Sequence, residues 1–414
     1  MPGTIVRVNR RRFLQSAAWS AAAGAGLVAA PSLLWAQGAA PGAAVKVGIL
    51  HPVSGALSYS GQQGRLGAVM AVEDINAAGG IKALGGAKIE AVLGDAQSTP
   101  EGGNAEVEKM NSAGVAAIVG GYGSSICLSA SQTAARYELP YLVDVGVADN
   151  IVTRGLKNTF RFGPGFGVIA RTALDNLVAI NKQAGNPAKS VMIVHEDSLF
   201  GSGLAKLLNA QLPERGFQVL ETLSHPTPTR DFNNVVLKIK AQNPDVVIPA
   251  NYYNEYVLLA RTMQQQRIRP KAIYSVLGGA ASSYKFVKEF PEAAQYIMDC
   301  NHWFDPRNKN ALALKKKVED KGQFYTYEVY MNYSCVLLLA DALERAGSAD
   351  RARLTAALES STFAGHVMPY GPTKFVNGQN EGAAPVNTQV LDKDIKVILP
   401  TEFATAKAVF PMPA

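Results

Sequence analysis

The chain has 414 residues, 48% hydrophobic and 18% charged, with a formal net charge of +7. That length and apolar content suit two domains of ordinary size, each with its own core. Arg7, Arg10, Arg11 and Arg12 stand in the first thirty-six residues with no acid beside them, and without that segment +7 falls to +3, which gives no electrostatic case for nucleic acid.

The chain opens with the layout of an export signal. Arg10-Arg11-Arg12-Phe13-Leu14 has the R-R-x-F-L form of twin-arginine signals, and an apolar, Ala-rich stretch follows from Ala17 to Ala30. That stretch is shorter than the ~20 residues a membrane-spanning helix needs. Leu34-Trp35-Ala36 offers a cleavage site after Ala36. A surface helix or an uncleaved anchor fits less well, because the run is short and lacks a second charged flank. Residues 1–36 are therefore expected to be a twin-arginine signal peptide, 37–44 a linker, and the mature chain periplasmic with no direct membrane span.

From Val45 the chain alternates short apolar runs with amphipathic ones. Strands are predicted over Val45–Leu50, Ile89–Leu93, Val115–Val119 and Tyr141–Val143, and helices over Gln62–Asn76, Glu101–Ser112 and Ser125–Arg136. The rhythm restarts after Gly163-Pro164-Gly165. Strands are predicted over Val191–Val194, Gln218–Leu223, Asp245–Pro249 and Lys271–Ser275, and helices over Leu199–Arg215, Asn233–Gln242 and Tyr253–Gln266. Strands that are apolar throughout are the kind buried on both faces of a parallel sheet. Alternating βα units imply right-handed crossovers and an α/β fold of two doubly wound lobes with parallel sheets. The lysines Lys315-Lys316-Lys317 read as a solvated helix surface.

Signatures of catalysis and metal binding are absent from the sequence. It holds no H-E-x-x-H, no G-x-x-x-x-G-K-[ST] and no G-x-S-x-G. Gly163, Gly165 and Gly167 fit a hinge between lobes better than a dinucleotide loop. The histidines His51, His195, His225, His302 and His366 are scattered. The three cysteines, Cys127, Cys300 and Cys335, form no C-x-x-C pair. One disulfide is conceivable outside the cytoplasm, Cys300–Cys335 being the first pair to test. No cofactor, metal or enzymatic activity is expected.

One loop carries positive chemistry. Gly120-Gly121-Tyr122-Gly123-Ser124-Ser125 lies between a buried strand and a helix N-terminus. Backbone N–H groups and the positive end of a helix dipole converge there, and Ser124 adds a hydroxyl, a combination suited to a carboxylate. A serine that merely caps the helix would show the same spacing.

The run Asp74-Ile75-Asn76-Ala77-Ala78-Gly79-Gly80-Ile81 resembles the D-I-N-x-x-G-G-I segment of periplasmic binding proteins of the branched-chain amino-acid type, the receptors of ABC importers. Ser54-Gly55, Gly61 and Gly67-Ala68 fit the preceding loop and helix. Thr153-Arg154-Gly155, His195-x-x-x-x-Phe200-Gly201-x-Gly203, Asp231-Phe232 and Gly371-Pro372 with Phe375 follow in order. The resemblance implies a type I periplasmic binding fold whose lobes close on ligand about a hinge crossed three times, here near Gly163, Asn301 and Gly371. Lobe I would then hold 45–162 and 302–371, and lobe II 163–301 and 372–414.

The resemblance also implies a pocket. Ser124, with Ser125 beside it, matches the serine that binds the ligand carboxylate, and the stretch around Gly146 is a separate part of the same resemblance. Tyr252 matches a tyrosine lining the ligand from the second lobe. Phe200 stands where many relatives have a tyrosine, Ala148 replaces a threonine, and Leu277 falls where an acid pairs with the ligand ammonium. Tyr59, Tyr122, Phe200 and Tyr252 would add planar apolar walls. Either Asp149 or Asp197 replaces the missing acid, or the ligand has no ammonium. The expected function is a receptor that delivers an amino acid or related small organic carboxylate to an ABC permease and its ATPase. A sensor for a membrane signalling partner is the alternative, and a periplasmic hydrolase a weaker one.

Overall fold

The computed structural model describes residues 42–413. The expected signal peptide, its cleavage site after Ala36 and the linker up to Pro41 lie outside these residues. No described helix is long and apolar enough to cross a membrane.

The first half builds one βα series. Strand β1 (Val45–His51) leads into α1 (Ser58–Ala77), β2 (Ile89–Asp95) into α2 (Pro100–Ser112), and β3 (Ala117–Gly120) into α3 (Ser124–Ala135). Strands β4 (Tyr141–Val143) and β5 (Thr159–Arg161) complete the series. The boundaries have local causes. Thr99 accepts the Gly102 N–H at 3.0 Å, and Pro100 takes the first helical position, where its missing N–H costs nothing.

Helix α4 (Phe166–Gln183) opens the second series. Then come β6 (Ser190–Glu196), α5 (Leu199–Gln211), β7 (Gln218–His225), α6 (Asn233–Gln242), β8 (Val246–Ala250), α7 (Tyr253–Gln265) and β9 (Ala272–Val276). After the short helices α8 (Tyr284–Glu289) and α9 (Pro291–Ala294), β10 (Met298–Asn301) closes the parallel run. Helices α10 (Lys309–Asp320), α11 (Tyr327–Ala346) and α12 (Arg351–Glu359) follow. The last strands are β11 (Phe375–Val376), β12 (Gln379–Asn380), β13 (Val386–Leu391) and β14 (Asp394–Leu399).

These strands form two seven-stranded sheets, ordered β11-β12-β5-β4-β3-β1-β2 and β14-β13-β10-β9-β8-β6-β7. Each therefore contains the same parallel order, with its first strand between its second and third. Strand β1 pairs in parallel with both β2 and β3, and β6 with both β7 and β8. In such a sheet the direction of winding reverses beside the first strand, and ligands bind outside the carboxyl ends of the strands at that point.

The chain passes between sheets after β5, after β10 and between β12 and β13. The third passage corrects the placement near Gly371. Residues 375–380 belong with the first sheet because β12 pairs with β5 through Gln379 and Arg161, and Asn380 Nδ2 donates to the Phe162 carbonyl at 3.0 Å. Helix α4 was not predicted, since its start lies in the Gly163–Gly167 stretch that reads as hinge. Helix α1 starts at Ser58 rather than Gln62. Its Gly61, Gly64 and Gly67 lower helix propensity, and packing against Pro52 and α11 overrides that weakness. Cys300 and Cys335 are both buried and free, one in a strand of the second sheet and the other in a helix packed on the first, so the suggested disulfide is not formed.

Candidate ligand-binding site

A cavity opens at the carboxyl ends of both sheets, and its walls come from the loops that leave the strands. Tyr122, Gly123 and Ser124 follow β3, and Val145 and Val147 follow β4. Phe200 follows β6, Asn251 and Tyr252 follow β8, Leu277 follows β9, Asn301 ends β10 and His302 follows it. Tyr327, the first residue of α11, completes the wall. The space between them is about 350 Å³, and the centre of a water molecule can range over about 30 Å³ of it. A space of that size, open on one side, suits a small molecule.

The first-sheet wall is a donor surface. Gly123 precedes α3 with φ 90°, a left-handed conformation that favours glycine, and no side chain caps the helix. Its first-turn N–H groups thus face the cleft along with the positive end of the helix dipole. Ser124, 1% exposed, accepts the Ala148 N–H on Oγ at 3.2 Å, which leaves its hydroxyl hydrogen free to donate. Tyr122 and Tyr327 share a hydrogen bond of 3.1 Å between their hydroxyls. Burial, then the nearby Glu328 charge, pushes the Tyr122 phenol far up, so it remains a neutral donor.

The second-sheet wall is aromatic. The Tyr252 ring lies 5.7 Å from that of Tyr122 and 5.3 Å from that of Phe200, so aromatic contact spans the cleft. Leu277 adopts φ 57°, an uncommon conformation for a leucine, and its N–H donates to the Cys300 carbonyl at 3.0 Å. Strain of this type clusters at functional loops.

Among the described residues, no ionised side chain lines the cavity. His302 is its only titratable base, and burial, followed by the Arg161 charge, pushes its pKa down to about 3, so the ring is neutral at physiological pH. Neither Asp149 nor Asp197 lines the cavity. Asp149 pairs with Arg161 at 3.2 Å and accepts the Gly167 N–H at 3.1 Å, while Asp197 is exposed and off the wall. Glu328 sits buried behind Tyr327, where burial raises its pKa toward the neutral acid.

The remaining residues singled out by sequence lie off the wall. Ala148 supports it through the Ser124 bond, and Gly146 packs its backbone against Cys127. Ser125 is half-buried on α3. Tyr59 stacks on Tyr253 with ring centroids 4.3 Å apart, which joins α1 to α7 across the two halves. Sequence reasoning missed Asn251, Asn301, His302 and Tyr327. The available signal was positional, for Asn251 and Asn301 each stand where a buried strand ends.

Arg161 holds this loop system in place. It is 2% exposed and donates to the Val147 and Ala148 carbonyls at 2.9 and 2.7 Å, and to Gln379 Oε1 at 2.7 Å. One planar guanidinium thereby ties the cleft loop to the third passage between sheets. Among the described residues, no group of three or more His, Cys, Asp or Glu side chains could hold a metal.

Comparisons with known proteins agree with this architecture. Residues 44–394 match the family described as "Periplasmic binding protein". The Leu/Ile/Val-binding protein homolog 7 of Brucella melitensis is 30% identical over 389 residues, covering 90% of this chain and 96% of that relative. A leucine-binding protein of Thermotoga maritima superposes with a TM-score of 0.74 at 22% identity, covering 85% of this chain and 97% of that one. A solute-binding protein of R. palustris solved in complex with benzoate gives a TM-score of 0.74 at 20% identity, covering 89% and 98%.

Proposed function

Since the chain belongs to the periplasmic binding protein family, we propose that it is the extracytoplasmic receptor of an ABC importer and closes its two lobes on a small carboxylate that lacks an ammonium group. The observation behind this reading is the charge pattern of the cleft. Donors gather at Ser124 and the start of α3, and no ionised acid lines the cavity. An ammonium buried there would lose its water and gain no anionic partner, at a cost of several kcal/mol. A carboxylate is served by the helix N-terminus and the serine hydroxyl. The aromatic walls of Tyr122, Phe200 and Tyr252 favour a planar or branched apolar body.

The benzoate complex of the R. palustris neighbour supports an aromatic acid as a candidate. The Leu/Ile/Val-binding homologue and the leucine-binding neighbour keep aliphatic acids of leucine's shape in view. Delivery would require an ABC permease and its ATPase as partners. Export would follow the twin-arginine route, so substituting Arg10 and Arg11 by lysine should retain the protein inside the cytoplasmic membrane.

Isothermal titration of the purified protein with benzoate, 4-methylpentanoate and leucine tests the ligand reading. The expected outcome is micromolar or tighter binding of at least one acid and none of leucine. Tight leucine binding would refute it.

A further inference from the structure

The cleft holds more than a donor end. Asn251, which follows β8, is completely buried, and its side-chain amide has a definite orientation. The His225 Nδ1 lies 2.8 Å from the Pro226 carbonyl oxygen, which can only accept, so Nδ1 carries the ring hydrogen. Burial lowers the His225 pKa, which leaves Nε2 with a free lone pair. Asn251 Nδ2 donates to that Nε2. Its Oδ1 then points the other way, buried and without a hydrogen-bond partner among the described residues.

His302 presents a second unmet demand. It is 1% exposed and lines the same cavity, and neither ring nitrogen has a partner among the described residues. A neutral imidazole offers one donor and one acceptor. Buried polar groups are nearly always satisfied, and each exception calls for an explanation. Opposite these groups, Ser124 and the α3 terminus can only donate to a carboxylate. The cavity is thus polarised, with donors from the first sheet facing unmet acceptors from the second.

We propose that the ligand is a carboxylate that also carries an uncharged hydrogen-bond donor, a hydroxyl or a neutral N–H, received by Asn251 Oδ1 with His302 as its second contact. The proposal rests on reading the cleft as a carboxylate receptor and adds the chemistry of the ligand's other end. An uncharged donor satisfies the amide oxygen fully, whereas a methyl or methoxy group of similar size leaves it buried and unpaired.

Titration with matched acids tests this on the unmodified protein. One series is benzoate, 3- and 4-hydroxybenzoate, and 3- and 4-methoxybenzoate. The other is 4-methylpentanoate, 2-hydroxy-4-methylpentanoate and leucine. In at least one series the hydroxy acid should bind about tenfold or more tightly than its parent and than the methoxy or ammonium analogue. In Asn251→Leu, checked for folding by thermal melting, that preference should shrink to within about twofold. If that variant fails to fold, the wild-type series still decides. Equal binding of parent and hydroxy acids in both series overturns the proposal and leaves the carboxylate reading standing. Binding of none of the acids, or of leucine most tightly, overturns both.

Discussion

Replacing Ser124 by alanine should separate ligand recognition from folding. In the native cleft the serine oxygen accepts the Ala148 N–H at 3.2 Å, and its hydrogen remains free for the ligand. A hydrogen bond to a charged group contributes about 1.5–3 kcal/mol, so its removal should weaken carboxylate binding roughly 10- to 150-fold. The lost bond to Ala148 is between neutral groups and should cost about 1 kcal/mol of stability, a modest part of the ~5–15 kcal/mol typical of a domain. The assay is isothermal titration with the tightest acid found above, alongside thermal denaturation of the same samples. Ser125→Ala is the control, because Ser125 sits half-buried on α3 away from the wall. Its affinity should stay within about twofold of wild type, as surface changes usually do. The reasoning fails if Ser124→Ala binds within about threefold of wild type, or if Ser125→Ala loses more.

Other consequences concern stability and pH. Arg161→Met leaves the Val147 and Ala148 carbonyls without their donor and should lower unfolding free energy by about 2–5 kcal/mol in urea titration. Gly67→Ala on α1 would place a methyl on the Val329 carbonyl of α11; overpacking should outweigh the gain in helix propensity and destabilise by about 1–3 kcal/mol, read as a drop in melting temperature. Asp144 is fully buried beside Asn332 and His51, and burial raises its pKa from 3.8 to about 7. The folded state therefore binds its proton more tightly than the unfolded chain does, so this contribution is complete below pH 4 and is lost as pH rises through about 7. Asp144→Asn should consequently gain on wild type between pH 4 and pH 8 in melting experiments, and a constant difference would contradict this. His302, with its pKa near 3, is neutral from pH 8 to pH 5, so it adds no charge of its own to the cleft over that range.

Much of the scaffold was legible from residue pattern, since largely apolar runs such as Val45–Leu50 and Val191–Val194 are the kind buried on both faces of a parallel sheet. Local chemistry marked several boundaries as well, Thr99-Pro100 before α2 being the clearest. The α3 loop with Ser124 was legible for the same reason, because glycines between a strand and a helix create a donor site from backbone alone. Tertiary structure decided the rest. Nothing near Phe375 or Gln379 indicates that they finish the first sheet, because their partners, β5 and Arg161, are more than two hundred residues away. Asn251 and His302 follow different strands, and only the order β8, β9, β10 within one sheet brings them to one cavity. Whether Asp149 could serve a ligand depended on Arg161 claiming it first. Periodicity and turn chemistry act over a few residues and are written in the sequence directly. The partner of a buried polar group is set by sheet order and long-range packing, so the character of the cleft emerges only once the chain has folded.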